Sequence, residues 1–454
     1  MPTTFISADW VVPMAGPDFA IADGAVIFRD DRIIAIGRAA DMAREKAEAD
    51  KVMDLRGHLV MPGIVNTHTH VAGAVTKAMT EDVSGFGGAF KVALPMHEHY
   101  VRKEDVYLPG LLHAVEMLRT GTTTINECWW HQPEPAKVIR DSGLRGVVGA
   151  EVREMDTGQV GFGRFERNWD RALADAGIDE ALDLLENWHG AENGRITVRI
   201  APDGPDRCTP RLLTQLKELA DKWDVGLHAH TASVPGEAEF MLHTYGKRTM
   251  PFLHDLGLLG PRYIGAHCAF LDDDEIALMA ETGTCMSHTA YLVAKRGYYP
   301  PMEKIYKAGI AVSLGSDWLS NDMWKVMRAA ALIPRVLSGD VGIRSGKDVL
   351  RMATIEGARC LGMADSIGSL EIGKKADLIA IDMRQPWYHP FRAEDLAANL
   401  VFNSNAGDVK HVFVDGAHLV ADGRMVCIDE EKLIEEATAV ARSVWERSAP
   451  LFAR

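Results

Sequence analysis

The segment Val60-Met61-Pro62-Gly63-Ile64-Val65-Asn66-Thr67-His68-Thr69-His70 joins an apolar run to a His-x-His pair. The apolar run predicts a buried strand. Because side chains alternate along a strand with period two, His68 and His70 point to the same side and are placed to bind one metal ion. Pairs of this spacing also occur as packing or surface histidines, so the pair alone leaves both interpretations open.

Strand-like runs alternate with helical patterns through the middle of the chain. An N-cap at Thr209 and a proline at position 210, for example, predict the start of one helix. The alternation predicts an α/β fold with a parallel sheet closed into a (β/α)8 barrel of the TIM type, in which chemistry takes place at the C-terminal ends of the strands. The eight candidate strands end near His70, Glu127, Glu151, Pro202, His230, His267, His288 and Asp317.

Both ends of the chain carry short strand patterns that predict a second, smaller domain. Near the N-terminus, apolar runs flank a turn at Asp30 and Asp31, which indicates a hairpin, and matching runs return near the C-terminus. The predicted organisation is a small β-sandwich domain from residues 1–60 and 365–428, a metal-dependent barrel from residues 61–364 and a C-terminal helix within residues 429–454.

The composition limits the classes of partner. With 49 Lys and Arg against 64 Asp and Glu, the net charge is −15, which argues against a surface that follows nucleic-acid phosphates. The six cysteines form no C-x-x-C pair, so neither a zinc knuckle nor a disulfide framework is indicated. No signal peptide and no apolar stretch of membrane-spanning length is recognisable. We therefore expect a cytoplasmic protein with no nucleic-acid or membrane partner.

Polar residues at the predicted strand ends supply candidate metal ligands. His230, His267 and His288 close the fifth, sixth and seventh strands, and Asp317 closes the eighth. Each alone is more often a packing residue, but together they place several imidazoles and one carboxylate on one rim of the barrel. A metal ion that is held by histidine and aspartate ligands and keeps one coordination position open can activate water near neutral pH.

These motifs resemble those of the amidohydrolase superfamily, over nearly the whole chain. Within it the chain is most similar to the branch of triazine hydrolases, S-adenosylhomocysteine deaminases and guanine deaminases. The resemblance rests on residues 60–70, Gly121-Thr122-Thr123-Thr124, His230, Gly265-Ala266-His267-Cys268, Gly315-Ser316-Asp317 and residues 368–378.

The resemblance implies one divalent metal ion, with zinc preferred to iron, and two catalytic residues. Asp317 would also accept a proton from water and return it to the leaving nitrogen, and His267 would hydrogen-bond the substrate or the attacking water. Relatives are commonly dimers or larger, which implies a homo-oligomer. The implied metal ligands are His68, His70, His230 and Asp317.

Two positions depart from the pattern of the relatives. Deaminases of this branch usually read His-x-x-Glu after the fifth strand, and that glutamate moves a proton to a ring nitrogen, whereas this chain has Ser233 there. A serine has no comparable acidity, which favours a carbonyl-type substrate such as an amide or urea. At the fourth strand, Asp203 stands where relatives often have a histidine, and it either favours a cationic or amine-bearing substrate group or is a helix-capping loop residue.

Aromatic residues are frequent near the predicted rim, which favours a flat or apolar ligand. A long loop over residues 79–102 is a candidate lid. Lys77, where relatives often carry an arginine, is either a substrate-binding residue or a solvated loop lysine. The candidate substrate-binding residues are His288, Lys77, Trp129, Trp130, Asp203, Ser233 and Phe86.

The sequence thus predicts a metal-dependent hydrolase that cleaves a non-peptide C–N bond in a small, flat or aromatic substrate. The bond is expected to be of the amide, urea or N-alkylamino-heterocycle type. A deaminase of a purine-, pterin- or triazine-like heterocycle is the alternative. An inactive family member that serves as a binding protein is an alternative of another class, against which the presence of all four ligand types argues.

Overall fold

The computed structural model of the chain describes residues 2–16, 18–82, 89–161, 163–318 and 320–452. The strands are β1 (Thr3–Val11), β2 (Ile21–Arg29), β3 (Arg32–Arg38), β4 (Lys51–Pro62), β5 (Ile64–Thr69), β6 (Thr122–Trp129), β7 (Arg145–Val152), β8 (Ile196–Val198), β9 (Ala201–Pro202), β10 (Leu227–Thr231), β11 (Tyr263–His267), β12 (Cys285–His288), β13 (Val312–Leu314), β14 (Leu378–Asp382), β15 (Val409–Val414), β16 (Ala417–Ala421) and β17 (Arg424–Met425).

The α-helices are α1 (Ala43–Glu48), α2 (Leu94–His99), α3 (Tyr107–Arg119), α4 (Glu134–Ser142), α5 (Arg171–Asn187), α6 (Ala191–Gly194), α7 (Pro210–Lys222), α8 (Pro235–Tyr245), α9 (Thr249–Asp255), α10 (Asp273–Thr282), α11 (Ala290–Lys295), α12 (Met302–Lys307), α13 (Met323–Ser338), α14 (Gly346–Met352), α15 (Ile355–Cys360), α16 (Leu396–Asn403) and α17 (Glu430–Ser448). Within the described ranges, no helix has both the length and the apolar composition needed to cross a membrane.

The middle of the chain forms a ring of parallel strands with helices between them. Hydrogen-bonded strands follow one another in the orders β5-β6-β7-β8 and β10-β11-β12-β13, and β9 pairs with β7 beyond the end of β8. Bridges from Ile200 to Leu227 and from Thr69 to Asp317 join the two sheets at both seams. This arrangement confirms the predicted α/β fold with its parallel barrel.

Local sequence explains the elements that surround the ring. In α7, the Thr209 hydroxyl oxygen accepts a hydrogen bond from the backbone N–H of Leu212 (3.2 Å), and Pro210 occupies the first helical position, as predicted. Every residue of β6 and β7 is buried, because helices cover one side of each strand and the barrel interior covers the other.

Both chain ends contribute to a separate sheet, as predicted. Its eight strands are joined in the continuous order β17-β16-β15-β14-β4-β1-β2-β3, and only the β1–β4 pair is parallel. The domain boundaries at residues 60, 364 and 428 stay a prediction, although β4 continues two residues past the first of them.

A buried ion-pair cluster fastens the barrel to this sheet. The guanidinium of Arg145, at the start of β7, donates to both carboxylate oxygens of Asp377 (2.7 and 3.0 Å) and also binds Asp415. The backbone N–H of Asp415 donates to Asp377 as well (2.8 Å), so the turn after β15 is held in the same network. Removing the guanidinium would leave the carboxylate of Asp377 buried without its counter-charge.

Replacing this arginine should therefore destabilise the protein strongly. We expect Arg145→Met to lower the free energy of unfolding by about 3–5 kcal/mol, since one partner of a buried pair is lost. The matched control is Arg262→Met, because Arg262 pairs with Asp224 at the surface, where a pair contributes about 0–1 kcal/mol. Urea unfolding of both variants measures the difference, and equal midpoints would contradict the role given to Arg145.

Candidate metal centre and active site

The four implied metal ligands converge at the C-terminal ends of barrel strands. His68 lies in β5, His70 follows it directly, His230 lies in β10 and Asp317 follows β13. The backbone N–H of Asp317 donates to the carbonyl oxygen of His68 (2.9 Å), which fixes the carboxylate beside the two histidines of the first strand. Closure of the barrel thus brings together residues that are up to 249 positions apart in the sequence.

The donor atoms lie close enough for one ion to bridge them. Asp317 Oδ2 is 3.7 Å from His68 Nε2, and Oδ1 is 3.8 Å from His70 Nε2. Ring nitrogens of His68, His70 and His230 all lie within 4.8 Å of one another. Atoms that each lie about 2.0–2.2 Å from a common zinc ion are about 3–4 Å apart, so the two carboxylate–imidazole separations match a single site.

The second ring nitrogen of each histidine ligand is already engaged. His70 Nδ1–H donates to the carbonyl of Cys128 (2.5 Å), and His230 Nδ1–H donates to the carbonyl of Asp203 (2.8 Å). His68 Nδ1 lies 2.8 Å from Nε2 of His228. These contacts orient the rings so that the Nε2 atoms of His68 and His70 face the centre, as the outer contacts of metal-binding histidines usually do.

An unsatisfied atom supports the fit of a metal. His68 Nε2 is buried and has no hydrogen-bond partner among the described residues. Leaving such an atom unpaired costs about 1–3 kcal/mol, and a divalent ion would remove that cost. Three imidazoles and one carboxylate form a typical donor set for zinc and also suit iron, so these residues fit the implied ion.

The backbone at two catalytic candidates is held in an unfavourable conformation. His267 and Asp317 have φ values of 72° and 61°, in the left-handed region. For residues other than glycine this conformation costs about 1–3 kcal/mol and is maintained only by the surrounding structure. The seam hydrogen bond to His68 and a hydrogen bond between His267 Nδ1 and the Thr289 hydroxyl (2.8 Å) are parts of that structure.

The charges around Asp317 keep it ionised. Burial alone would raise the pKa of Asp317, but the neighbouring imidazoles of His68, His267 and His70 hold the pKa well below its usual value. Burial lowers the pKa of His267 far below its usual range, which keeps the ring neutral. His267 Nε2 lies 3.5 Å from Asp317 Oδ2, so a neutral imidazole and a carboxylate stand side by side.

The acidic groups behind His230 would strengthen it as a metal ligand. Burial alone would lower the pKa of His230, but Asp203 and Glu151 outweigh burial and raise it to about 10. The Glu151 Oε1 atom lies 3.1 Å from His230 Nδ1. Carboxylates in this position make the imidazole more basic and stabilise the positive charge that a bound ion induces on it.

A cavity with about 510 Å³ of empty space opens beside these ligands. Trp129, Trp130 and Trp318 form its aromatic side: the rings of Trp129 and Trp130 are stacked with centroids 4.6 Å apart, and Trp129 also lies against the His70 ring at 4.5 Å. An indole wall beside a polar centre suits a flat molecule whose reactive end points at the ligands.

Polar residues also line the cavity. Asp203 lines it and is paired with Arg207, so its charge is largely compensated. Glu151 also lines the cavity, and burial together with the neighbouring Asp203 raises its pKa to about 7. The sequence did not single out Glu151 as a site residue, although its position at a predicted strand end is a signal that was available.

Ser233 lines the cavity, whereas the next carboxylate along the chain does not. Both Glu237 oxygens accept hydrogen bonds from backbone N–H groups, those of Ala232 (2.7 Å) and Ser233 (2.9 Å), and the Thr249 hydroxyl donates to one of them (2.8 Å). Glu237 therefore anchors the start of α8 and does not replace the glutamate that the deaminase pattern places at position 233.

Two of the predicted substrate-binding residues that the structure describes do not line the cavity. Lys77 pairs with Glu116 (2.7 Å) on the outside of the barrel, and His288 turns its Nε2 to the Tyr299 hydroxyl (2.9 Å); neither lines the cavity. Phe86 lies outside the described residues. Trp129, Trp130, Asp203 and Ser233 do line it.

His228, whose Nε2 contacts Nδ1 of His68, was not predicted as a site residue. His228 is buried on β10 two residues before His230, so the same period-two argument that was applied to the first pair could have placed both rings inside the barrel.

Comparisons with known proteins identify the family of the chain. The profile of the Amidohydrolase family matches residues 59–419. A 5'-deoxyadenosine deaminase from Methanosarcina acetivorans is 32% identical over 433 residues, which are 94% of this chain and 95% of that protein. A 5-methylthioadenosine/S-adenosylhomocysteine deaminase from Moorella thermoacetica is 33% identical over 433 residues, 94% of this chain and 96% of that protein.

Solved structures share the fold over almost the whole chain. An adenosine deaminase from Xanthomonas campestris with bound zinc has a TM-score of 0.88 and 26% identity, and the match covers 98% of both chains. A zinc-complexed atrazine chlorohydrolase from Arthrobacter aurescens has a TM-score of 0.86 and 22% identity over 96% of this chain and 100% of the other. The resemblance drawn from the sequence motifs is confirmed: this chain belongs to the amidohydrolase family.

Proposed function

We propose that this protein uses one divalent metal ion, zinc in preference to iron, to hydrolyse a non-peptide C–N bond in a small, flat or aromatic molecule. The observation that carries the proposal is the convergence of His68, His70, His230 and Asp317 beside a cavity with indole walls. Family membership and the deaminase relatives support the reaction class. Zinc in two structural neighbours supports the choice of metal.

The four ligands would hold the ion, whose Lewis acidity makes water nucleophilic near neutral pH and polarises the reacting group. Asp317 is ionised, so it accepts a proton from the attacking water and returns it to the leaving nitrogen. His267 is neutral and held by Thr289, which leaves Nε2 free to hydrogen-bond the reacting oxygen or the water. The chain's own groups thereby supply both proton transfer and orientation.

Ser233 decides between two types of C–N bond. Attack on an amidine-like ring carbon requires a proton on the adjacent ring nitrogen, and Ser233 has no acidity for that task. An amide, urea or carbamate carbonyl can be polarised directly, and Asp317 then suffices for proton transfer. The first candidate is therefore hydrolysis of an amide-like, urea-like or N-alkylamino-heterocycle bond, and within it this argument favours the amide and urea types, because the ring carbon of an N-alkylamino heterocycle is itself amidine-like.

The second candidate is deamination of a purine-, pterin- or triazine-like heterocycle. Its specific support is Glu151, a carboxyl group that lines the same cavity from a different strand than the usual glutamate. The curated relatives that match nearly the whole chain are also named as deaminases of adenosine derivatives. Under this candidate, Glu151 would take over the task that the missing glutamate performs elsewhere.

Two further expectations from the sequence remain proposals. A homo-oligomer is supported by the exposed apolar side chains of Leu332, Val336 and Leu337 on α13. Cytoplasmic location rests on the sequence alone. An inactive binding protein remains the competing class, and it is distinguished by whether the purified chain retains zinc or iron.

Removing a ligand should abolish both zinc retention and turnover. We expect His68→Ala and Asp317→Asn to weaken zinc binding by more than about 100-fold, because changes to outer contacts alone already cost about 10–100-fold. Metal analysis of purified variants measures this independently of activity. The control is His411→Ala. His411 is a buried histidine of β15 that contacts none of the four proposed ligands, so this variant should keep its zinc. Unchanged zinc content in the ligand variants would refute the assigned centre.

Substrate profiling tests the order of the two candidates. The zinc-loaded protein should hydrolyse members of a panel of amides, ureas and N-alkylamino heterocycles and release no ammonia from 5'-deoxyadenosine, 5'-methylthioadenosine or S-adenosylhomocysteine. Ser233→Glu should gain ammonia release from these nucleosides. Ser233→Gln should not, because glutamine has the size of glutamate but is not acidic. Prompt ammonia release by the unmodified protein would reverse the order in favour of deamination.

A further inference from the structure

His228 lies directly behind one of the four proposed metal ligands. It is on β10, two residues before His230, and its side chain is buried. Its Nε2 atom lies 2.8 Å from Nδ1 of His68, and the centroids of the two rings are 5.0 Å apart. The Sγ atom of Cys128 is also near His68 Nδ1, but at 4.0 Å. Because only the contact with His228 has the length of a normal hydrogen bond, His228 is the main partner of this nitrogen.

This contact differs from those that hold the other two histidine ligands. The Nδ1 atoms of His70 and His230 face backbone carbonyl oxygens. A carbonyl oxygen can only accept a hydrogen bond, so the hydrogen of each of these rings is fixed on Nδ1 and the lone pair on Nε2. An imidazole can either donate or accept, so the contact between His68 and His228 allows two arrangements of the hydrogen.

Only one of the two arrangements leaves His68 able to bind an ion. A histidine that binds a metal through Nε2 carries its hydrogen on Nδ1. His68 must then donate to His228, and Nε2 of His228 must accept. In the opposite arrangement His228 donates, the hydrogen of His68 lies on Nε2, and that nitrogen has no lone pair for an ion.

The far nitrogen of His228 indicates a role beyond packing. Nδ1 of His228 is buried and has no hydrogen-bond partner among the residues that the structure describes. An unsatisfied buried nitrogen destabilises the folded state, whereas an apolar side chain of similar size would fill the same space without that cost. The presence of an imidazole here is therefore explained by what its other nitrogen does for His68.

We propose that His228 is a positioning residue of the metal centre: its Nε2 accepts the Nδ1 hydrogen of His68, and this contact sets the tautomer in which His68 offers Nε2 to the ion. His228 then carries its own hydrogen on Nδ1. His228 does not line the cavity, so it acts through His68. The inference rests on the proposed function, because it concerns the ion that the four ligands would hold.

The zinc affinity of three variants tests the role of the acceptor. His228→Leu removes the acceptor and should weaken zinc binding about 10–100-fold, as the loss of an outer contact of a metal-binding histidine usually does. His228→Gln keeps an oxygen that can accept from His68, so its affinity should stay closer to that of the unmodified protein. His411→Leu removes a buried histidine that contacts none of the four proposed ligands and should not change the affinity. Competition with a chelator measures each affinity without any substrate.

The tautomer itself is read from the unmodified, zinc-loaded protein with its histidines labelled with nitrogen-15. Nuclear magnetic resonance correlations between the ring nitrogens and the carbon-bound ring hydrogens show which nitrogen carries the hydrogen. The His228 signals are assigned from their loss in His228→Gln. We expect the hydrogen of His228 on Nδ1. This measurement does not use His228→Leu, so it stays decisive if that variant folds poorly.

Three outcomes would overturn the proposal. The first is a His228 hydrogen on Nε2 in the zinc-loaded protein. The second is a zinc affinity of His228→Leu equal to that of the unmodified protein. The third is an equal loss of affinity in folded His228→Gln and His228→Leu, which would indicate that His228 only packs. All three leave the metal centre in place, whereas an unmodified protein that binds no zinc would contradict the proposed function and this inference with it.

Discussion

The hydrogen bond from the backbone N–H of Asp317 to the carbonyl of His68 is the contact on which the site depends. It lies at the seam where the segment after the last barrel strand meets the first strand, so the same contact closes the ring and sets a carboxylate beside two imidazoles. Asn66 reinforces the seam: its amide donates to the Ser316 hydroxyl (2.7 Å) and accepts from the Ser316 backbone (3.0 Å). The left-handed conformation of Asp317 is stable only inside this network.

Two groups of charged and ionisable residues line the cavity. His267 and Asp317, one neutral and one ionised, would serve orientation and proton transfer beside the proposed metal ligands. Glu151 and the Asp203–Arg207 pair lie behind His230 and line the same cavity as Ser233, which supplies no acid. The choice of bond would therefore rest on this second group, because the first suits amide hydrolysis and deamination equally well.

Much of this arrangement could be predicted from the sequence, because period-two alternation and apolar runs are local signals. They located β5 and its two histidines, and the other strand ends that carry His230, His267 and Asp317. Side-chain direction beyond the ends of strands is not local. Lys77 follows a 3-10 helix that turns it outward, and His288 rotates to Tyr299, so neither reaches the cavity. Glu151 is a candidate site residue only because the fold brings it close to Asp203 and His230.

The central claim is that four side chains from three parts of the chain form one metal site. Anomalous X-ray diffraction at the zinc absorption edge, from crystals of the protein purified without added chelator, tests it most directly. The account predicts one anomalous peak per chain, within bonding distance of His68 Nε2, His70 Nε2, His230 and the carboxylate of Asp317. A second peak of comparable height in the cavity, a peak away from these atoms, or no peak after zinc is supplied would contradict it.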